Sequence, residues 1–265
     1  MRAIIFSDLH LSPKALFDRF QFNKLKRILN LDPNEYDIVI ISGDLVESNI
    51  MDYKANPFEN NPLEKLFELF EKDVVFCLGN HEFAFQSHPE VLKWWSKWSH
   101  PNVHCLDVEG FYEKDGYRFI GNVLWYDWSL NNCRQLMQGE IIDGWLDATI
   151  KDFDAMKENE KCVKQIFNSC ASDKCIKHVL ITHMVPHIEL NTFSHEEPGS
   201  PYNAYSGMKR FLLDIQDKGI NLTHAICGHT HRREMKTIWD VDCINIGNDY
   251  YFRTGKYSYW YLDLN

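Results

Sequence analysis

Ala3-Ile4-Ile5-Phe6-Ser7-Asp8-Leu9-His10 starts with four consecutive apolar residues and ends on an acid and an imidazole. A short apolar run without alternation is what a strand buried on both faces shows. The arrangement recurs down the chain. Ile38-Val39-Ile40-Ile41 leads to Gly43-Asp44, and Val74-Val75-Phe76-Cys77-Leu78 to Gly79-Asn80-His81-Glu82. Val179-Leu180-Ile181 leads to Thr182-His183, and Ala225-Ile226-Cys227 to Gly228-His229-Thr230-His231. Helical patterns lie between these runs. Asn61-Pro62-Leu63-Glu64 supplies a cap, a first-turn proline and an acid, followed by a stripe of Leu63, Leu66, Phe67 and Phe70. Ser87-His88-Pro89-Glu90 starts a second helix with Val91, Trp94, Trp95 and Trp98 along it. A third is expected over Ser206 to Lys218, closed by Gly219. Alternating strands and helices predict βαβ units and an α/β fold.

Two regions make the expected sheet arrangement mixed. Phe111-Tyr112 and Tyr117-Arg118-Phe119-Ile120 flank an Asp115-Gly116 turn, a hairpin signal. From Ile238 to Leu264 the chain reads as two or three antiparallel strands with a turn at Thr254-Gly255. Residues 128–177 carry no clear strand; they read as a charged helical insertion or cap. With 265 residues and 45% apolar content, the chain is expected to form a single domain over 1–265.

The formal net charge is -10, which argues against an extended nucleic acid as partner. It leaves a nucleotide substrate open, because metal ions dominate the charge of a site. No apolar stretch approaches the roughly 20 residues of a spanning helix, so no membrane association is expected. The first residues lack a secretory pattern. Cys77, Cys105, Cys227 and Cys243 sit in apolar runs, and Cys162, Cys170 and Cys175 lack zinc-knuckle spacing. The expectation is free thiols in a cytoplasmic protein.

The polar residues after each run carry the chemistry. Alternate residues of a strand share a face, so Asp8 and His10 are expected to reach one ion together, and His229 and His231 one region. Ligands of open α/β sheets sit beyond the carboxyl ends of strands. A mixed set of carboxylate, imidazole and amide oxygen suits Mn, Fe, Zn or Ni better than Ca or Mg. The absence of cysteine from the set argues against a closed structural zinc site.

In order, D-x-H, G-D, G-N-H-E, T-H and G-H-x-H resemble the calcineurin-like metallophosphoesterases, over residues 8 to 231. The resemblance implies a four-layer α/β/β/α sandwich of two mixed sheets. It implies one metal on Asp8, His10, Asp44 and His231, and a second on Asp44, Asn80, His183 and His229, with Asp44 bridging. The ions are expected to be divalent or mixed-valence, Mn or Fe first and Zn or Ni as alternatives. Two metals roughly 3.5–4 Å apart lower the pKa of a bridging water, bind two phosphate oxygens and hold the phosphorus in line. His81, beside a ligand, is the candidate general acid. Glu47 is its candidate orienting partner, since phosphatases of this fold place an acid three residues after the bridging aspartate. The pattern departs from those phosphatases after Glu47, where Ser48-Asn49 stand in place of Arg-Gly.

The resulting expectation is hydrolysis of a phosphomonoester or phosphodiester in a small phosphorylated or nucleotide substrate. A nuclease or a cyclic-nucleotide phosphodiesterase is the alternative. A non-catalytic scaffold is a third reading, which the full set of candidate ligands disfavours. Trp125 and Tyr126, after a predicted strand, and Tyr202 and Asn203, in a polar aromatic loop, are candidate substrate contacts.

Overall fold

The computed structural model describes all residues except 13–15, 17–18, 20–21, 24–25, 27–30, 48–50, 62, 191–198, 248–258 and 265. Its strands are β1 (Arg2–Phe6), β2 (Ile38–Ser42), β3 (Asp73–Cys77), β4 (Val103–Cys105), β5 (Phe111–Lys114) and β6 (Tyr117–Asn122). They continue with β7 (Lys177–Thr182), β8 (Leu222–Cys227), β9 (Arg233–Ile238), β10 (Val241–Ile246) and β11 (Trp260–Asp263). The α-helices whose residues are all described are α1 (Pro57–Asn60), α2 (Glu64–Phe67), α3 (Asn80–Phe83), α4 (His88–Trp95), α5 (Leu106–Glu109), α6 (Ala155–Ser169) and α7 (Phe211–Asp217).

One sheet has the order β11-β1-β2-β3-β4 and the other β5-β6-β7-β8-β10-β9. Strands β1 to β4 run parallel, as do β6-β7-β8-β10, and the antiparallel strands β11, β5 and β9 close three of the four sheet edges, parallel β4 the fourth. Strand alternation sorts the apolar runs into layers. Ala3, Ile5, Ile38, Ile40 and Val75 meet Phe119, Val179, Ile181, Ile226 and Ile244 between the sheets. Ile4, Phe6, Val39, Ile41 and Phe76 face outward onto Leu66, Phe67, Trp94 and Trp95. Ile120, Leu180 and Ala225 face the opposite way onto Ile166, Phe211 and Ile215. The result is two mixed sheets flanked by helices, the expected α/β/β/α sandwich.

Local signals act as read at several points. Ser87 N–H donates to Glu90 Oε2 at 3.2 Å, closing a capping box on α4. Asp115 and Gly116 take φ of 50° and 81° between β5 and β6, as a primed hairpin turn requires. All eight cysteines are free thiols. Other elements differ. The third helix covers only Phe211–Asp217, because Ser206 to Gly207 pair with Val185 instead of coiling. The C-terminal strands divide between the two sheets: β10 runs antiparallel to β9 yet parallel to β8, and β11 joins β1. The Thr254-Gly255 turn and Pro62 lie outside the described residues. Within 128–177, the regular structure is a 3-10 turn at Leu146–Thr149, α6 and the first residue of β7. α6 lies against β6, where Asn122 Nδ2 donates to Cys162 O at 3.0 Å. No described helix is long and apolar enough to cross a membrane.

Candidate active site

The polar residues lie past the strand ends, not on them. β1 stops at Phe6, and Asp8 and His10 follow it with φ of 51° and 41°. The strand-alternation argument is therefore corrected: left-handed backbone turns, not pleating, bring these side chains to one place. Asp44, His229 and His231 share the conformation, with φ of 50°, 67° and 52°. Non-glycine residues rarely adopt it, and it costs about 1–3 kcal/mol each where surrounding structure enforces it. Here crossed backbone bonds enforce it. Asp8 N–H donates to Gly43 O at 3.1 Å, and His10 N–H to Asp44 O at 3.0 Å. His229 N–H donates to Asp8 Oδ1 at 3.0 Å.

Two motif glycines exist for close approach. A Cβ on Gly79 would stand 2.1 Å from Asp44 Oδ1, and one on Gly228 would stand 2.6 Å from Asp8 Oδ2. No larger residue fits between these turns.

Asp44 is at the centre. Its Oδ2 lies 3.6 Å from His10 Nε2, 3.3 Å from His183 Nε2 and 3.8 Å from His81 Nε2. Its Oδ1 accepts the His81 backbone N–H at 3.0 Å. Donor atoms come together within 4.8 Å in three overlapping groups: Asp8, His10 and His231; His10, Asp44 and His81; and Asp44, His183 and His229. Asn80 Oδ1 lies 3.1 Å from His183 Nε2 and so joins the last group. The structure thus brings together all seven expected ligands.

Hydrogen bonds behind two of the imidazoles fix which nitrogen each turns to the cluster. His183 Nδ1 donates to Ser42 O at 2.9 Å, leaving Nε2 toward Asp44. His229 Nε2 donates to Tyr205 O at 3.1 Å, leaving Nδ1. Burial opposes charge on His183, yet the Asp44 and Asp8 carboxylates outweigh it and push the ring up to about 10. Burial opposes ionisation of Asp44, but His183 and His81 hold its carboxyl well below the usual range. Burial keeps His10 and His229 neutral at pH 7, the form a metal requires. Buried carboxylates, imidazoles and an amide oxygen form a donor set that fits divalent transition metals.

His81 differs from the buried His10 and His183. Its side chain is 17% exposed, against 0% for theirs. Glu47 is half-buried, and its backbone N–H donates to Leu11 O at 3.1 Å. Among the described residues no hydrogen bond or ion pair joins its carboxylate to His81. Ser48 and Asn49 lie outside the described residues.

The expected substrate contacts fare unevenly. Trp125 and Tyr126 are 0% exposed and pack against Phe153, so they present no surface to a substrate. That expectation is corrected, because the turn at Leu124 (φ 50°) directs both rings into the core. Tyr202 is half-buried and packs on Trp145, with ring centroids 5.1 Å apart. Asn203 is buried, and its Nδ2 donates to Asn132 Oδ1 at 3.4 Å.

Three residues given no role by the sequence reading belong to the site's frame. Glu82 accepts backbone N–H groups from Gly79, Asp44 and Val46. Asp147 accepts the Asn80 amide, and Trp145 donates its indole N–H to Asp147. Glu82 was findable, since it stands in the Gly79-Asn80-His81-Glu82 run. Asp147 and Trp145 carry no local signal.

Calcineurin-like phosphoesterases match the chain over residues 1–233, and the chain belongs to that family. Membership implies phosphoester hydrolase activity and divalent metal binding. In three dimensions the chain resembles the phosphopantetheinyl hydrolase PptH of Mycobacterium tuberculosis. The TM-score is 0.68 at 15% identity, covering 98% of this chain and 95% of that one. A dimetal phosphatase from Danio rerio gives 0.53 at 14% identity over 92% and 86% of the two chains. GAP50, described as the anchor in the inner membrane complex of Plasmodium, gives 0.50 at 13% identity over 93% and 71%. At such identities the likeness is one of fold. No curated protein matches the sequence.

Proposed function

We propose that this chain hydrolyses a phosphomonoester or phosphodiester at a two-metal centre in which Asp44 is the shared ligand. The observation that carries the reading is one oxygen, Asp44 Oδ2, set between His10 Nε2 at 3.6 Å and His183 Nε2 at 3.3 Å. Those histidines belong to different donor groups. Asp8, His10 and His231 with Asp44 would hold one ion, and Asn80, His183 and His229 with Asp44 the other. Manganese or iron fits these donors. Such a pair supplies Lewis-acid charge to the phosphoryl oxygens and an activated water at neutral pH.

The chain's own residues do the rest. The crossed backbone bonds hold Asp8 and Asp44 in fixed register, so the site is preorganised. His81, held by its backbone to Asp44 and partly open to solvent, donates a proton to the leaving oxygen. The acidic chain favours a small phosphorylated or nucleotide substrate over an extended nucleic acid.

The test is elemental analysis of manganese-reconstituted protein together with turnover of nitrophenyl phosphate and bis-nitrophenyl phosphate. Two metals per chain and turnover of at least one ester are expected. A single equivalent, or two equivalents with no turnover of either ester, overturns the reading.

A further inference from the structure

We propose that Asp147 is a positioning residue that fixes which atom Asn80 turns to the metal, and that Trp145 locks it in place. The inference rests on the two-metal reading above and adds a part of the chain that the family's motifs do not include.

The primary amide of Asn80 has two ends, and only its oxygen can bind a cation. Asn80 Nδ2 donates to Asp147 Oδ1 at 2.9 Å, while Asn80 Oδ1 faces His183 Nε2 at 3.1 Å. A carboxylate only accepts, so this bond excludes the flipped amide. Asp147 is itself held. Its other oxygen, Oδ2, accepts the Trp145 indole N–H at 2.9 Å, and the side chain is fully buried.

Trp145 reaches a second ligand of the same ion. It stacks on Tyr205 with ring centroids 5.3 Å apart and planes at 27°. The Tyr205 carbonyl holds His229 Nε2 at 3.1 Å. Tyr205 Oη in turn accepts the Ile142 N–H and donates to Glu140 O, each at 3.0 Å. Residues 140–147 therefore brace Asn80 and His229, both on the Asp44–His183 side. Among the described residues no hydrogen bond links them to Asp8, His10 or His231. A brace of this shape makes an effect on one metal and not the other.

The discriminating variant is Asp147→Asn. The new amide accepts from Trp145 through its oxygen and turns its NH2 toward Asn80, donor against donor. Asn80 then flips and presents NH2 to the cation. A compensating pair, N80D with D147N, restores every bond: the amide at 147 donates to one oxygen of the acid at 80, and the other oxygen faces the metal.

Calorimetric titration of the metal-free protein with Mn²⁺ reads both sites. D147N is expected to weaken one of two equivalents by about ten- to a hundredfold and leave the other within about threefold. The double variant recovers most of the loss, and Trp145→Phe weakens the same equivalent by less than D147N. Wild-type affinities retained in D147N, equal loss at both equivalents, or no recovery in the double variant overturns the inference alone. Fewer than two equivalents in the wild type overturns the two-metal reading and this inference with it. Should D147N fail to fold by circular dichroism, the double variant still decides: it binds two equivalents near wild-type affinity or the inference is wrong.

Discussion

Glu82 accepts the backbone N–H of Asp44 at 3.2 Å, from a position two residues beyond Asn80. The same carboxyl accepts Gly79 N–H at 2.7 Å and Val46 N–H at 3.1 Å. One buried acid thus ties the turn carrying Asp44 to the turn carrying Asn80. Burial first, and then the Asp44 charge, push Glu82 up to about 8. Removing the acceptor in Glu82→Ala strands three buried donors. Each unsatisfied group costs about 1–3 kcal/mol, less where water enters. Chemical denaturation should show a loss of about 3 kcal/mol, accompanied by weaker metal binding. Wild-type stability would mean that these bonds do not hold the loops.

Asp44→Asn tests the shared ligand. The variant keeps shape and removes the charge that His183 and His10 face. Elemental analysis should find clearly fewer than two metals per chain, and activity should fall at least a hundredfold. Full metal content would remove Asp44 from the bridging position.

His81→Ala tests the proton donor. A good leaving group needs no proton and a poor one does, so the loss should depend on the ester. About a hundredfold or more is expected for an alkyl phosphate and roughly tenfold or less for a nitrophenyl ester. Equal losses on both would leave His81 without the role of general acid.

His88 provides a pH prediction away from the candidate metal site. It stacks on Phe83 at 4.5 Å, and its Nδ1 lies 3.2 Å from Glu158 Oε2. Burial lowers its pKa to about 4, against the opposing pull of Glu158. The folded protein therefore takes up this proton less readily than the unfolded chain, whose histidine titrates near 6.5. The contribution to stability is complete above pH 6.5 and declines as pH falls toward 4. Between pH 7 and 5 the wild type should lose about 2 kcal/mol more than His88→Gln. Urea melts of both proteins at the two pH values measure this, and parallel losses would contradict it.

Much of this protein is legible in local sequence. The apolar runs ending at Phe6, Ile41, Leu78, Ile181 and Cys227 announce buried strands, because a strand packed on both faces needs apolar residues in succession. The candidate ligand types follow directly, since each run leads into an acid, an amide or an imidazole. Tertiary structure alone decided how those groups meet. Asp8, His10, Asp44, His229 and His231 converge through left-handed turns that strand periodicity does not predict. Trp125 and Tyr126 have the composition of a pocket wall but lie in the core, because burial depends on where the backbone turns. Asp147 is 67 residues from Asn80 along the chain. A hydrogen bond between such residues requires only that folding bring two atoms together, and it leaves no period or spacing in the sequence by which to find it.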